Sequence, residues 1–359
     1  MRMKESQSSH SEDYAVDVMK FVMALLVVDI HSVPLRHLWP DVDFVVTEGF
    51  ARIAVPYFFI ASSYYLFRNM KSGIDFDLVR RFWMCILKLY AVWTVLCLPL
   101  IMILAFEDSG GSIWLAIRSI LHRFLVNGSM YHLWFLYALL LVVPLVAYLL
   151  QRGWRFRSIF LLGGAFYSIA WLGSSGHWIY QALVPAGSSM QLFFAWLQDV
   201  FLEFRNGLTV GVLFVAIGAY LALRVPEESH RWSLRSTSWK LAILFLLFFL
   251  ELFITYIHRY PGFTPEYYVV FPPLAAVLFL LTRKIRLAPS PLWRFLRKMS
   301  TFLYCAHVWL PFFAVWIGVA AEEERIPVTF CAIVFAVAVG ALFLRLSERP
   351  RLHFLKNLF

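Results

Sequence analysis

Lys20 and His31 stand eleven residues apart in the first apolar run of the chain, YAVDVMKFVMALLVVDIHS. An imidazole works near neutral pH as a base or as a nucleophile, and an ammonium holds anions. Eleven residues make nearly three helical turns. Both side chains therefore point to one face, roughly 16 Å apart along the axis. Asp17, three residues before Lys20, can pair with it. Asp29 falls on the face opposite His31 and is not placed to orient that imidazole. A purely structural reading stays open, in which Lys20 snorkels to the membrane surface and His31 is an interfacial residue.

The second run carries Glu48, Arg52 and Pro56. Ionisable groups inside a bilayer cost several kcal/mol unless they meet a partner or a wet cavity. Glu48 lies one turn from Arg52 on the same face and is its expected partner. The pair reads equally as an ion bridge between helices or as a holder of a substrate carboxylate or phosphate. His132 opens the fourth run beside Trp134, Glu203 and Arg205 open the sixth, and His307 lies deep in the ninth. His132 also fits an interfacial residue, and His307 a hydrogen-bonded packing residue.

The elements that must position these groups are membrane helices. Charged residues make up 15% of the 359, against about a quarter in soluble chains. The apolar excess comes in stretches of about 20 residues, the length that spans a bilayer. Ten are expected, over 14–33, 44–67, 78–105, 131–150, 156–173, 206–224, 238–256, 266–282, 300–319 and 327–346. The segment Ile113 to Asn127 is amphipathic and is expected to lie in the interface; residues 190–204 show the same pattern more weakly. With the N-terminus cytoplasmic, 23 of the 32 Lys and Arg residues fall in inside segments or at the inside ends of spans, six outside and three deeper within spans. This asymmetry predicts both termini in the cytoplasm. It also assigns the net charge of +10 to topology and not to nucleic acid.

Cys85, Cys97, Cys305 and Cys331 all lie in apolar runs, with neither metal nor disulfide spacing. The N-terminus has no small-residue cleavage site of a secretory signal. Aromatic residues at span ends are expected of interfacial belts and are not read as a glycan-stacking platform.

In this order, the segments resemble the acyltransferase-3 family of integral-membrane O-acyltransferases. Asp17, Lys20 and His31 match an acidic residue, then Arg or Lys, then ten residues, then His. The stretch from Arg52 to Tyr64, RIAVPYFFIASSY, is similar to a second element, with Ser63 where Gly is usual. His132-Leu-Trp-Phe-Leu, Arg205-Asn-Gly and Tyr304-Cys-Ala-His307 look like later elements. The family often has Arg-x-Arg near the start of the third span; here Arg80-Arg81 and Lys88 stand instead.

The resemblance implies one transmembrane domain over 1–359, an all-α polytopic bundle of about ten helices. Residues 1–13 would be a polar cytoplasmic N-terminus and 347–359 a basic cytoplasmic C-terminus. It implies transfer of an acyl group, commonly acetyl, from cytoplasmic acyl-CoA to a hydroxyl of an extracytoplasmic glycan or other envelope molecule in the inner membrane. Acyl-CoA is then a co-substrate, with no resident cofactor or metal, and a separate extracytoplasmic protein could complete the transfer. His31 matches the catalytic His. Arg52 or Arg205 could stabilise the oxyanion, and Lys20, Arg80 and Arg81 could bind the donor phosphates. Asp17, Glu48, His132, Arg205 and His307 are acceptor-side or structural. Two rivals remain. The membrane part of serine racemase resistance proteins shares the resemblance, particularly in the Arg52 segment, which raises an amino-acid-like transporter. A non-catalytic envelope assembly protein is the third.

Overall fold

The computed structural model describes residues 13–70, 73–201, 206–225, 233–260, 263–309 and 325–359. Among these residues every regular element is helical. α1 runs over Tyr14–Ser32, α2 over Pro40–Phe67, α3 over Phe76–Asp108 and α4 over Ile113–Val126. α5 covers Trp134–Gln151, α6 Phe156–Leu172, α7 His177–Leu183, α8 Ser189–Phe201 and α9 Gly207–Arg224. α10 is Leu234–Ile257, α11 Phe271–Lys284, α12 Pro291–Ala306 and α13 Arg325–Leu346, before a 3-10 segment at Pro350–Leu358.

Among the described residues six helices are long and apolar enough to cross a membrane: α2, α3, α5, α9, α10 and α13. A seventh span exists if α6 and α7, bent by 86°, count together. The protein is a multi-pass membrane protein. The other expected spans coincide with helices that fail on charge or length. α1 has 19 residues but carries Asp17, Lys20 and Asp29, while α11 has 14 residues and α12 has 16. The expected 300–319 span lies beyond residue 309 outside the described residues. α4 forms as expected, with Ile113, Trp114, Leu121 and Leu125 exposed on its apolar face.

α2 is the central helix: 72% of its membrane-length window is buried, against 17% for α10 and 11% for α13. Lipid is therefore the natural solvent of α10 and α13. α1 and α12 pack side by side and run parallel, since Asp17 meets Arg297 near their starts and His31 meets His307 near their ends. α2 and α11 run the other way, bringing Tyr65 and Arg283 back to Asp13. The bundle thus has a near end, at Asp13, and a far end, at His31.

α2 is not a regular helix. It opens with one turn at Pro40–Asp43, widens into a π turn at Phe44–Gly49, tightens into a 3-10 turn at Phe50–Ile53 and becomes α-helical from Ala54. Two causes are visible. Pro56 has no N–H for the carbonyl of Arg52. Gly49 sits at φ −104°, ψ −89°, where a Cβ would press to 3.1 Å on Leu252 of α10.

Helix packing around α2 uses small residues, as expected where lipid removes most of the hydrophobic drive between helices. Ser63, standing where the resembled family has Gly, donates to the carbonyl of Phe59 at 2.8 Å. It fits because Gly218 of α9 lies opposite, where a Cβ would overlap the Ser63 hydroxyl and come within 2.5 Å of the Ile60 carbonyl. Gly218→Ala is expected to lower stability by about 1–3 kcal/mol through overpacking, despite the better helix propensity of Ala. Adding Ser63→Gly should recover part of the loss, since the overlap with the Ile60 carbonyl remains. Thermal unfolding of the detergent-solubilised protein reads both, and a Gly218→Ala midpoint equal to wild type would refute the packing account.

Candidate active site

Three imidazoles from three helix ends meet at the far end. His31, in the last turn of α1, stacks on His307 with ring centroids 4.9 Å apart and an interplanar angle of 21°. His132, just before α5, meets His307 edge-on at 5.0 Å. The Tyr131 ring lies 5.1 Å from His31. Past α1 the chain turns sharply at Val33, whose φ of 40° is unusual for a β-branched residue and stores local strain two residues from His31.

Two of these rings have defined tautomers. His132 Nε2 lies 3.1 Å from the Cys305 carbonyl, and His307 Nδ1 lies 2.7 Å from the Tyr304 carbonyl. A carbonyl only accepts, so in each neutral ring that nitrogen carries the hydrogen and the other is a bare acceptor. His132 Nδ1 and His307 Nε2 are those acceptors, both buried and without a protein partner. The Tyr304 hydroxyl donates to the His132 carbonyl, tying the two segments together.

Arg52 enters the same site from α2, its side chain 11% exposed. It pairs with Glu48, as expected from their spacing, and with Glu266 at 3.3 Å. Glu48 also accepts from Arg36 at 2.8 Å, and the Tyr268 hydroxyl donates to its backbone carbonyl at 2.8 Å. His31, Arg52, His132, Glu266 and Tyr304 line one cavity of about 40 Å³. That volume holds reacting atoms and a water or two, not a whole substrate. Asp29, as expected, turns away, accepting from Thr47 at 2.8 Å. Among the described residues no three His, Cys, Asp or Glu side chains are arranged to hold a metal ion.

Glu266 is a site residue that the sequence reading missed, although a carboxylate at the start of an apolar run was a usable signal. It reaches Arg52 because the α6–α7 bend holds its loop. The Ser174 hydroxyl accepts from Glu266 N at 2.6 Å and Tyr267 N at 3.0 Å, and Ser175 donates to the Tyr267 carbonyl. Glu251 of α10 was missed as well. This carboxylate, set in an apolar helix, accepts from Trp171 Nε1 at 2.9 Å, Val269 N at 2.7 Å and Val270 N at 3.2 Å. It serves the N–H groups at the start of α11 that a helix leaves unpaired.

At the near end Lys20 lies 5.1 Å over the Tyr65 ring. Tyr65, Arg68 and Arg283 all donate to Asp13, at 2.9, 3.1 and 3.2 Å. Asp17 is 3.7 Å from Arg297. Arg68 and Arg283 thus gather on Asp13, and Lys20 lies beside them over the ring of Tyr65, which also bonds Asp13. Arg80 and Arg81 are exposed on the first turns of α3 instead, Arg81 bonding the Asp77 carbonyl at 3.3 Å. Arg205, with Glu203, lies outside the described residues.

A helical membrane bundle with imidazoles and a paired arginine around one small cavity defines the class. The model of the acyltransferase domain family matches residues 13–345, and the chain belongs to the acyltransferase-3 family. It is 30% identical over 299 residues to a serine/alanine racemase of Enterococcus gallinarum, a match covering 81% of this chain and 40% of that protein. An amino-acid racemase of Enterococcus faecalis is 24% identical over 273 residues, 74% of this chain and 36% of that one. The chain therefore spans less than half the length of these curated relatives. No solved structure matches it.

Replacing Glu251 by Leu leaves two backbone N–H groups and an indole N–H without their acceptor, at a cost of about 1–3 kcal/mol each in a dry site. Glu251→Leu is expected to lower the melting temperature clearly, and Glu251→Gln, which keeps one acceptor oxygen, to lower it less. Equal midpoints for the two variants would contradict the capping role.

Proposed function

We propose that the protein is a membrane-bound O-acyltransferase that carries an acyl group, acetyl foremost, from a cytoplasmic CoA thioester at the near end to a hydroxyl of an extracytoplasmic glycan or envelope molecule at the far end. The observation that carries this reading is the meeting of His31, His132, His307 and Arg52 at the far end, in a chain of the acyltransferase-3 family. An imidazole nitrogen of His31 takes the hydroxyl proton as the oxygen attacks the thioester carbonyl. The ester forms, and the thiolate leaves and takes up a proton. A route through an acyl-imidazole on His31 has the same balance. The Arg52 guanidinium suits the charge that develops on the carbonyl oxygen, a role also open to Arg205.

Lys20, Arg68 and Arg283 offer cations to the donor phosphates at the near end, with Arg80 and Arg81 exposed beside the adjoining helix start. Lys20 and His31 share one face of α1 roughly 16 Å apart, the depth that the flexible arm of the donor has to cover. Ten spans with both termini cytoplasmic, in the inner membrane, fit this direction of transfer and the loop charges. The bundle acts as a single domain, alone or with a separate extracytoplasmic partner.

A second reading is an amino-acid-like transporter. It is supported by the amino-acid racemase relatives and by the 3.3 Å Arg52–Glu266 pair at the small cavity, whose two charges an amino acid's carboxylate and ammonium could each engage.

Two measurements test these readings. Wild type and a folded His31→Ala are incubated with radiolabelled acetyl-CoA, and CoA release and protein-bound label are followed. Turnover by the wild type and a loss of at least 100-fold in the variant is expected; failure of wild type with acetyl and longer acyl donors sinks the enzyme reading and leaves amino-acid flux to be measured. Reporters active only in the cytoplasm, fused to either terminus, should both be active. One silent terminus would exclude an even number of spans.

A further inference from the structure

A second cavity adjoins the imidazole site. It lies between α3, α4 and α5 and measures about 140 Å³. A cavity of that size admits a six-membered ring. We propose that it is the acceptor subsite and that it takes the pyranose headgroup of a membrane glycolipid, which rests on the acyl-transfer reading above. Two walls join it to the reacting atoms. Tyr131 lines it and packs its ring on His31, and Trp134 lines both cavities. A group seated against these rings has its edge beside the imidazole.

The lining is mixed in the way a sugar ring needs. Tyr131 and Trp134 supply flat apolar faces, and Arg123 and Asn127 supply polar groups of fixed planar geometry. Trp134 is 8% exposed, so it is a wall of the bundle and not a member of an interfacial belt. The polar side is built firmly. Ser129 takes a 2.7 Å hydrogen bond between its hydroxyl and Thr94, and its backbone N–H donates to the Tyr90 hydroxyl at 2.7 Å. Arg123 bonds Asp108 at 2.9 Å, but both side chains are about half exposed, and such a pair is weak enough to exchange for a ligand oxygen.

The rim points to a ligand with a lipid tail. Ile101, Leu104 and Ile120 form the apolar side of the cavity. Next to them Met102, Ile103 and Phe106 of the membrane-length α3 and Leu121 and Leu125 of the amphipathic α4 are exposed. A glycolipid can lay its chain along this surface while its ring enters between α3 and α4. A free sugar would gain nothing from that rim.

The test is binding, read without any acyl donor. The full chain in lipid nanodiscs is titrated with radiolabelled octyl glycosides of glucose, galactose and mannose, and uptake by empty discs is subtracted. Saturable binding of at least one glycoside is expected. Ile120→Trp, which fills the cavity, should weaken it at least tenfold, and Ile120→Val, which keeps the space, should not; melting temperatures confirm that both are folded. Saturable binding of none of the three overturns the proposal, as does unchanged binding by folded Ile120→Trp. Displacement of the glycoside by octyl sulfate at equal concentration also overturns it, because the site then reads an anionic amphiphile. Glycoside binding by a protein that never turns over acyl-CoA would keep the subsite and sink the acyl-transfer reading instead.

Discussion

A guanidinium in the middle of an apolar bundle must have its charge matched, and the far end of this protein is organised around that need. Arg52 has one carboxylate on its own helix, Glu48, and a second from 214 residues further on, Glu266. Glu48 is in turn shared with Arg36. A buried pair of this kind adds little net stability, but breaking it by removing one partner costs about 3–5 kcal/mol. The network therefore acts chiefly as a constraint. The loop after α1, the irregular start of α2 and the loop before α11 must all arrive together.

Irregular backbone is how they arrive. In a membrane, broken helices are tolerated only where other protein groups take up the freed hydrogen bonds. The α6–α7 bend does this with Ser174 and Ser175, which hold the backbone of residues 266 and 267. Glu251 does it for the start of α11. The π and 3-10 turns of α2 do it around Glu48 and Arg52. Such departures in mid-helix often mark functional sites, and here each lies within a residue or two of a side chain of the charged network or of a group that holds its loop.

The near end is built differently. Its cations are spread over α1, α2, α11 and α12, and they rest on aromatic faces as well as on carboxylates. Arg283 lies 4.4 Å over Tyr64, and Arg68 5.0 Å over Tyr65. Cation–π contacts hold a guanidinium without neutralising it, so this end keeps positive charge to offer, whereas the far end presents imidazoles and a balanced ion network. One helix, α1, carries Lys20 at the first and His31 at the second.

The sequence by itself determined the helical class, the positions of the long apolar helices, the amphipathic α4 and the Glu48–Arg52 pair. All of these are local: hydrophobic runs of bilayer length and i, i+4 spacing are written along the chain. It also marked His31, His132 and His307 as worth attention, because ionisable groups in apolar runs are rare. What it could not give was their company. His132 and His307 are 175 positions apart, and only the packing of α1, α5 and α12 makes them neighbours and fixes which nitrogen of each is bare. Glu266 shows the same limit, since its role depends on a serine bend 92 residues earlier. The nearness of Lys20 to Arg68 and Arg283, through Tyr65 and Asp13, likewise depends on tertiary structure. Side chains on one helix face are set by its period, but which helix comes to lie against that face is set by packing.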